Sequence, residues 1–109
     1  MTDRRTRGRS DNRGKNSREW TFLTNHAHVL ACIKSDPKIR MRDIAMRVGI
    51  TERAVQRIAA DLERGGYTHV IRHGRRNHYR VHKNRRLRHP IESHRRVADL
   101  LNLLADDRP

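Results

Sequence analysis

Apolar residues recur along this chain first at helical spacing and then at strand spacing, and they are almost missing from its first stretch. After Leu23 and Thr24, the residues Val29, Leu30 and Ile33 form a helix-period stripe. Thr24 or Asn25 is placed to cap that helix, and Pro37 lies beyond its end. A short extended piece around Ile39 to Met41 should follow. A second helix, about Arg42 to Val48, sets Ile44, Ala45 and Val48 on one side, and Gly49 stops it because glycine adopts a left-handed backbone most easily. Thr51 caps a third helix running to the Gly65–Gly66 pair, with Ile50 and Val55 at the two positions of a hydrophobic staple. The period then shortens. Tyr67 to Arg72 and His78 to His82 read as the strands of a hairpin, with His73, Gly74, Arg75, Arg76 and Asn77 as its turn. Val70 and Ile71 are adjacent apolar residues, so alternation alone leaves the inward side of the first strand open. A last helix is expected from about Pro90, well suited to a first helical position, to Leu104.

Residues 1–19 contain no Val, Ile, Leu, Phe, Tyr or Cys. They hold Arg4, Arg5, Arg7, Arg9, Arg13, Lys15 and Arg18 against Asp3, Asp11 and Glu19, the composition of a disordered basic arm. The expected division is therefore an arm at 1–19, a compact domain at 20–83, and a basic linker with a C-terminal helix at 84–109. A chain of 109 residues with 34% apolar content has room for one domain and a thin core. Its formal net charge of +14 concentrates polyanions, which points to nucleic acid or an anionic membrane. Lysine supplies only Lys15, Lys34, Lys38 and Lys83; the other basic residues are arginines, whose planar donors suit phosphates and guanine edges. No apolar run reaches membrane-spanning length, and Arg4–Arg5 lacks the hydrophobic segment of an export signal. Cys32 is the sole cysteine, which excludes an intrachain disulfide or a cysteine zinc cluster. A cytoplasmic protein with no membrane partner is expected.

The segment from Asp43 to Ile58 carries the most information. Two helices must meet there across a tight turn, with Ala45 allowing close approach, Gly49 turning, and Ile44, Val48, Ile50, Val55 and Ile58 sharing a core. On these residues, and on the Gly74-Arg75-Arg76-Asn77 turn, residues 20–83 resemble the winged helix-turn-helix transcriptional regulators of the MarR-like and ArsR-like kind. The resemblance implies a mainly α fold with a small β-hairpin wing. It also implies a third helix in the major groove of double-stranded DNA, and a wing on the backbone or minor groove. Terminal helices of such families commonly build a homodimer.

The residues support that placement independently. If Val55, Ile58, Ala59 and Leu62 are the buried side of the third helix, Arg53, Arg57, Ala60 and Arg64 fall opposite, with Gln56 on the shoulder. Like charges stacked at helical spacing cost a few tenths of a kcal/mol per pair unless a polyanion meets them. Between Glu63 and Glu92 there is no acidic residue, so wing and exit form one positive segment. The candidate DNA-binding residues are Thr51, Arg53, Gln56, Arg57, Arg64, Arg72, Arg75, Arg76, Asn77 and Arg80. A solvated helix face is the bland alternative. A nonspecific RNA-binding or nucleoid-type protein is the competing function, and a protein-interaction adaptor a third.

The last helix has a stripe of Val97, Ala98, Leu101, Leu104 and Ala105, with Leu100 and Leu103 off it. That fits packing on the Trp20–Ile33 region or, through the extra leucines, a homodimer. Eight histidines raise the question of a metal. His26 and His28 point to different sides of a helix, whereas His78 and His82 could share a strand side with His69 or His73 across from them. No carboxylate lies near these wing histidines in sequence and arginines crowd them, so no metal is expected. Nor is any cofactor or catalytic residue: no acid pair, phosphate loop or Ser/His/Asp set is present. No effector ligand can be named from the sequence.

Overall fold

The computed structural model describes residues 19–106, and the expected basic arm lies outside the described residues apart from Glu19. The element order is α1 (Asn25–Ser35), α2 (Met41–Val48), α3 (Glu52–Arg64), β1 (Thr68–His73), β2 (Arg76–Val81) and α4 (Val97–Leu104). Helices are followed by a two-stranded antiparallel hairpin, the expected mainly α architecture with a wing.

Apolar spacing dictates how the first three helices meet. Val29 and Ile33 of α1, Ile44 of α2 and Val55 of α3 are almost fully buried and form the centre of the core. Between α2 and α3 the chain turns at Gly49, whose φ of 87° strains any residue with a Cβ. Thr51 then caps α3: its hydroxyl oxygen accepts from the Ala54 amide at 3.0 Å. Thr24 stands at the N-cap of α1 as expected, but its side chain makes no capping bond there. The extended piece is shorter than expected. Ile39 is buried in an extended stretch, while Met41 already begins α2.

The hairpin also departs from its expected outline. The anticipated turn of His73 to Asn77 shrinks to Gly74 and Arg75, because His73 pairs with Arg76 and Arg72 with Asn77 in register. Gly74, at φ 59°, makes so tight a reversal possible. The open question of the inward side is resolved by cross-strand partners. Thr68 faces Val81 and Val70 faces Tyr79 on the core side, leaving Ile71 opposite His78 on the outer side. The Tyr79 amide also donates to the Pro37 carbonyl at 2.9 Å, tying the wing to the α1–α2 connection.

The C-terminal part needs the largest corrections. The last helix starts at Val97, not near Pro90. Residues 89–95 form turns instead, in which the Glu92 amide bonds the His89 carbonyl and the Arg95 amide bonds Glu92, each at 2.8 Å. The chain there doubles back along 85–87: the Leu87 amide donates to Arg95 and the Val97 amide to Arg85, at 3.0 and 2.8 Å. Backbone groups committed to this pairing cannot serve a helix ladder. Nor are residues 84–96 a linker. Guanidinium groups staple them down, from Arg85 to the Gly65 carbonyl, Arg86 to Ser93 and Arg96 to Asn84. Val97 and Leu101 then join the same core as α1, so the compact unit continues past residue 83.

Removing the Thr51 cap should cost about 1 kcal/mol, or a fall of roughly 4–8 °C in melting temperature for a domain this size. Thermal melting of Thr51→Ala beside Thr51→Ser checks it; equal losses in both would show that the hydroxyl bond is not responsible.

Candidate nucleic-acid interface

The outward side of α3 follows from what its inward side must bury. Val55, Ile58 and Leu62 are in the core and Ala59 is half-buried, so Arg53, Gln56, Arg57, Ala60 and Arg64 are turned to solvent. Arg53, Gln56 and Arg57 make no side-chain hydrogen bond or ion pair with any described residue. Thr51 lies beside them, and because its oxygen accepts the capping bond, its O–H proton remains available to a phosphate.

Arg64 differs from the other arginines of the stripe. Its guanidinium donates to the Asp61 carboxylate at 2.6 Å, and the other Asp61 oxygen meets His26 Nε2 at 2.9 Å. Asp61, just off the stripe, thus pairs with the arginine at its C-terminal end. Asp61 sits one turn before Arg64 and reaches both Arg64 and α1, so Arg64 enters any interface already partly neutralised. The hydrogen bond from His26, aided by Arg64 and opposed by partial desolvation, holds the Asp61 carboxyl below its ordinary range.

Strand alternation divides the expected wing residues between two sides. Arg76 and Arg80 share the outer side with His69, His73 and His78, whereas Arg72 and Asn77 pair on the opposite side beyond the core. Arg75 is at the tip and exposed. Arg76 is partly engaged, donating to the Lys38 carbonyl at 3.0 Å. That contact brings Lys38 to the wing, a basic neighbour that sequence spacing gave no sign of. The His73 and His78 rings, diagonal neighbours across the hairpin, lie tilted with centroids 4.3 Å apart, so these two wing histidines share a side as expected. His69 and His82 lie farther apart, at 6.3 Å. Among the described residues no group of three or more His, Cys, Asp or Glu is arranged to hold a metal ion. No helix among them is long and apolar enough to cross a membrane.

Partial burial, followed by repulsion from His73, Lys38 and Arg76, holds the His78 imidazole below its ordinary value of 6.5. The unfolded chain therefore takes up that proton first as pH falls, and the folded state loses stability from about pH 6.5 downward. Melting temperature should decline between pH 7 and 5.5, and less so in His78→Gln. Parallel declines in the two proteins would remove His78 as the source.

A family model of winged helix-turn-helix DNA-binding domains matches residues 24–67. No curated protein and no solved structure matches the chain. The matched stretch spans α1 to α3 and ends where β1 begins, so the wing is supplied by the fold itself. With three helices in the expected order, a capped third helix whose arginines face outward, and a basic hairpin after it, the chain has the fold of a winged helix-turn-helix, and its residues 24–67 are similar to the DNA-binding domains of that kind.

Proposed function

We infer that the protein is a sequence-specific transcription regulator that binds double-stranded DNA as a homodimer, a cytoplasmic protein of the MarR-like or ArsR-like kind. The observation that carries this reading is the set of Arg53, Gln56 and Arg57 side chains, exposed and without partners among the described residues, on one side of a capped helix. Arginine reads guanine O6 and N7 with two parallel bonds, and glutamine can do the same at adenine N6 and N7. Inserted into a major groove, α3 would use these three residues for base edges, with the Thr51 hydroxyl on a phosphate. Arg75 at the wing tip, with Arg72 and Asn77 on one side and Arg76 and Arg80 on the other, would clasp the backbone. Arg64 would contribute less than Arg53 or Arg57, since Asp61 already occupies part of its guanidinium.

Dimerisation is supported by α4. Its inner residues Val97 and Leu101 are spent on the core, yet Leu103 is 79% exposed and Leu104 is exposed beside it. Apolar side chains left over after intrachain packing favour a second surface, and a twofold copy of α4 supplies one. The two α3 helices of such a dimer would read an inverted repeat. A nonspecific nucleic-acid binder would need the positive field alone, and the unpaired Gln56 among the arginines favours base reading over that alternative.

Selection of bound duplexes from a random pool should return an inverted repeat, with log affinity falling by about 4–5 per tenfold rise in salt for each protomer. Arg57→Ala should relax preference at one base position at a cost of about 1–3 kcal/mol, whereas Arg75→Ala should weaken all duplexes alike. Equal retention of every sequence at matched salt would leave only the nonspecific binder. For the dimer, sedimentation equilibrium should find the native chain at twice its monomer mass and Leu103→Asp at the monomer mass; a native monomer at tens of micromolar rules the interface out.

A further inference from the structure

The outer side of the wing gathers histidines among its arginines. Strand alternation sets His69 and His73 of β1 beside His78, Arg76 and Arg80 of β2, and the His82 ring lies 6.3 Å from that of His69. Nearest the tip, the His73 and His78 rings approach to 4.3 Å between centroids. His73 is exposed and His78 half-buried, and neither makes a side-chain hydrogen bond or ion pair with any described residue. Other histidines are committed elsewhere: His26 to Asp61, His28 to Asn25 and His89 to the Ile91 amide.

The groups that face this pair are cations. Arg76 and Arg80 share its side of β2, and Lys38 comes from the α1–α2 connection, where its carbonyl accepts from Arg76 at 3.0 Å. Neither strand contains an acid. That connection also carries Asp36, whose Oδ1 accepts the Lys38 amide at 3.1 Å. Two imidazoles in contact among such neighbours resist protonation together, since each new charge meets several of its own sign. An anion placed between them removes the repulsion, and each imidazolium then offers it a charge and a hydrogen-bond donor. A DNA phosphodiester keeps its negative charge throughout the neutral range, so the response to pH comes from the protein alone.

We propose that His73 and His78, with Arg76 and Lys38, form a phosphate site on the wing that takes up protons as it engages the DNA backbone, so that duplex affinity rises as pH falls. Partial burial and repulsion from His73, Lys38 and Arg76 keep the His78 imidazole neutral in the free wing, and bound phosphate offsets that repulsion. A group that holds its proton more tightly in the complex than in the free protein strengthens binding as pH drops through the histidine range, from about pH 7.5 to about 5.5. Acid thus weakens the free fold through the same residue that it recruits for binding. The dependence on duplex rests on the reading of the wing as a backbone contact.

The test measures retention of a random-sequence duplex by the full chain at pH 7.5, 6.5 and 5.5, at one ionic strength. The native chain should bind at least five-fold tighter at pH 5.5 than at 7.5. The exposed double substitution His73→Gln with His78→Gln should lose at least half of that gain on a logarithmic scale. In histidine ring NMR spectra of the native chain, which depend on no variant, the titration midpoints of His73 and His78 should both rise when duplex is added. The proposal is overturned if native affinity is the same at the three pH values, if the double variant keeps the whole gain, or if the two midpoints stay where they were. Dextran sulfate, a polyanion with no group that titrates in this range, separates the two readings. Should the chain retain no duplex at any pH while dextran sulfate still raises both midpoints, the anion site stands and the DNA reading falls; midpoints moved by neither polyanion overturn the site itself.

Discussion

Everything functional in this fold depends on the burial of one side of α3. Val55 is wholly enclosed, and Ile58 and Leu62 extend the same stripe against α1 and α2. Burying three such side chains contributes about 5–8 kcal/mol before entropy is counted, a large share of what so small a core can supply. Rotating α3 about its axis to hide the arginines would forfeit that burial and desolvate Arg53 and Arg57, which have no acid partner among the described residues. The hydrophobic stripe thus fixes the direction of the charged one. An interface need not be built separately; it is the remainder of the helix after the core has taken its side.

Arginine has a second role here. The core is small for a described span of this length, and the C-terminal segment compensates with backbone carbonyls held by guanidinium groups. Arg85 bonds the Gly65 carbonyl at 2.6 Å and lies over the Tyr67 ring, while the Tyr67 hydroxyl donates to the Arg86 carbonyl at 3.0 Å. Together these contacts lock the end of α3 to the segment leading into α4. A charge count that assigns every arginine after Glu63 to a polyanion overstates the interface, because Arg85, Arg86 and Arg96 are occupied inside the domain. Arg53 and Arg57 on α3 and Arg75 at the wing tip are among the arginines with no side-chain partner among the described residues. Acidic residues follow the same economy: Asp61 joins α1 to α3 through His26, and the Asp99 carboxylate accepts the Arg96 amide at 2.9 Å to start α4.

What could be read from the residues was local. The 3.6-residue recurrence of Ile44, Val55, Ile58 and Leu62, the glycine at 49 and the threonine at 51 identified α2, the turn and the cap, because each is decided by neighbours within one helical turn. The outward placement of Arg53, Gln56 and Arg57 follows from the same periodicity. Pro90 misled, since a good first helical residue is equally at home in a turn, and only the pairing of residues 85–87 with 95–97 chose between them. The hairpin turn looked longer than it is because polar strand residues beyond the core carry no alternation signal.

By itself the amino-acid order determined the helix-turn-helix core, the side of α3 that faces solvent and the positive charge of that side. All three rest on short-range spacing. Tertiary structure decided which arginines are free and which hold carbonyls, that Asp61 serves both His26 and Arg64, and that Lys38 stands by the wing. Each of those outcomes joins residues far apart in the chain, and a guanidinium reaches a distant carbonyl as readily as a phosphate. Only the packed fold says which one it meets.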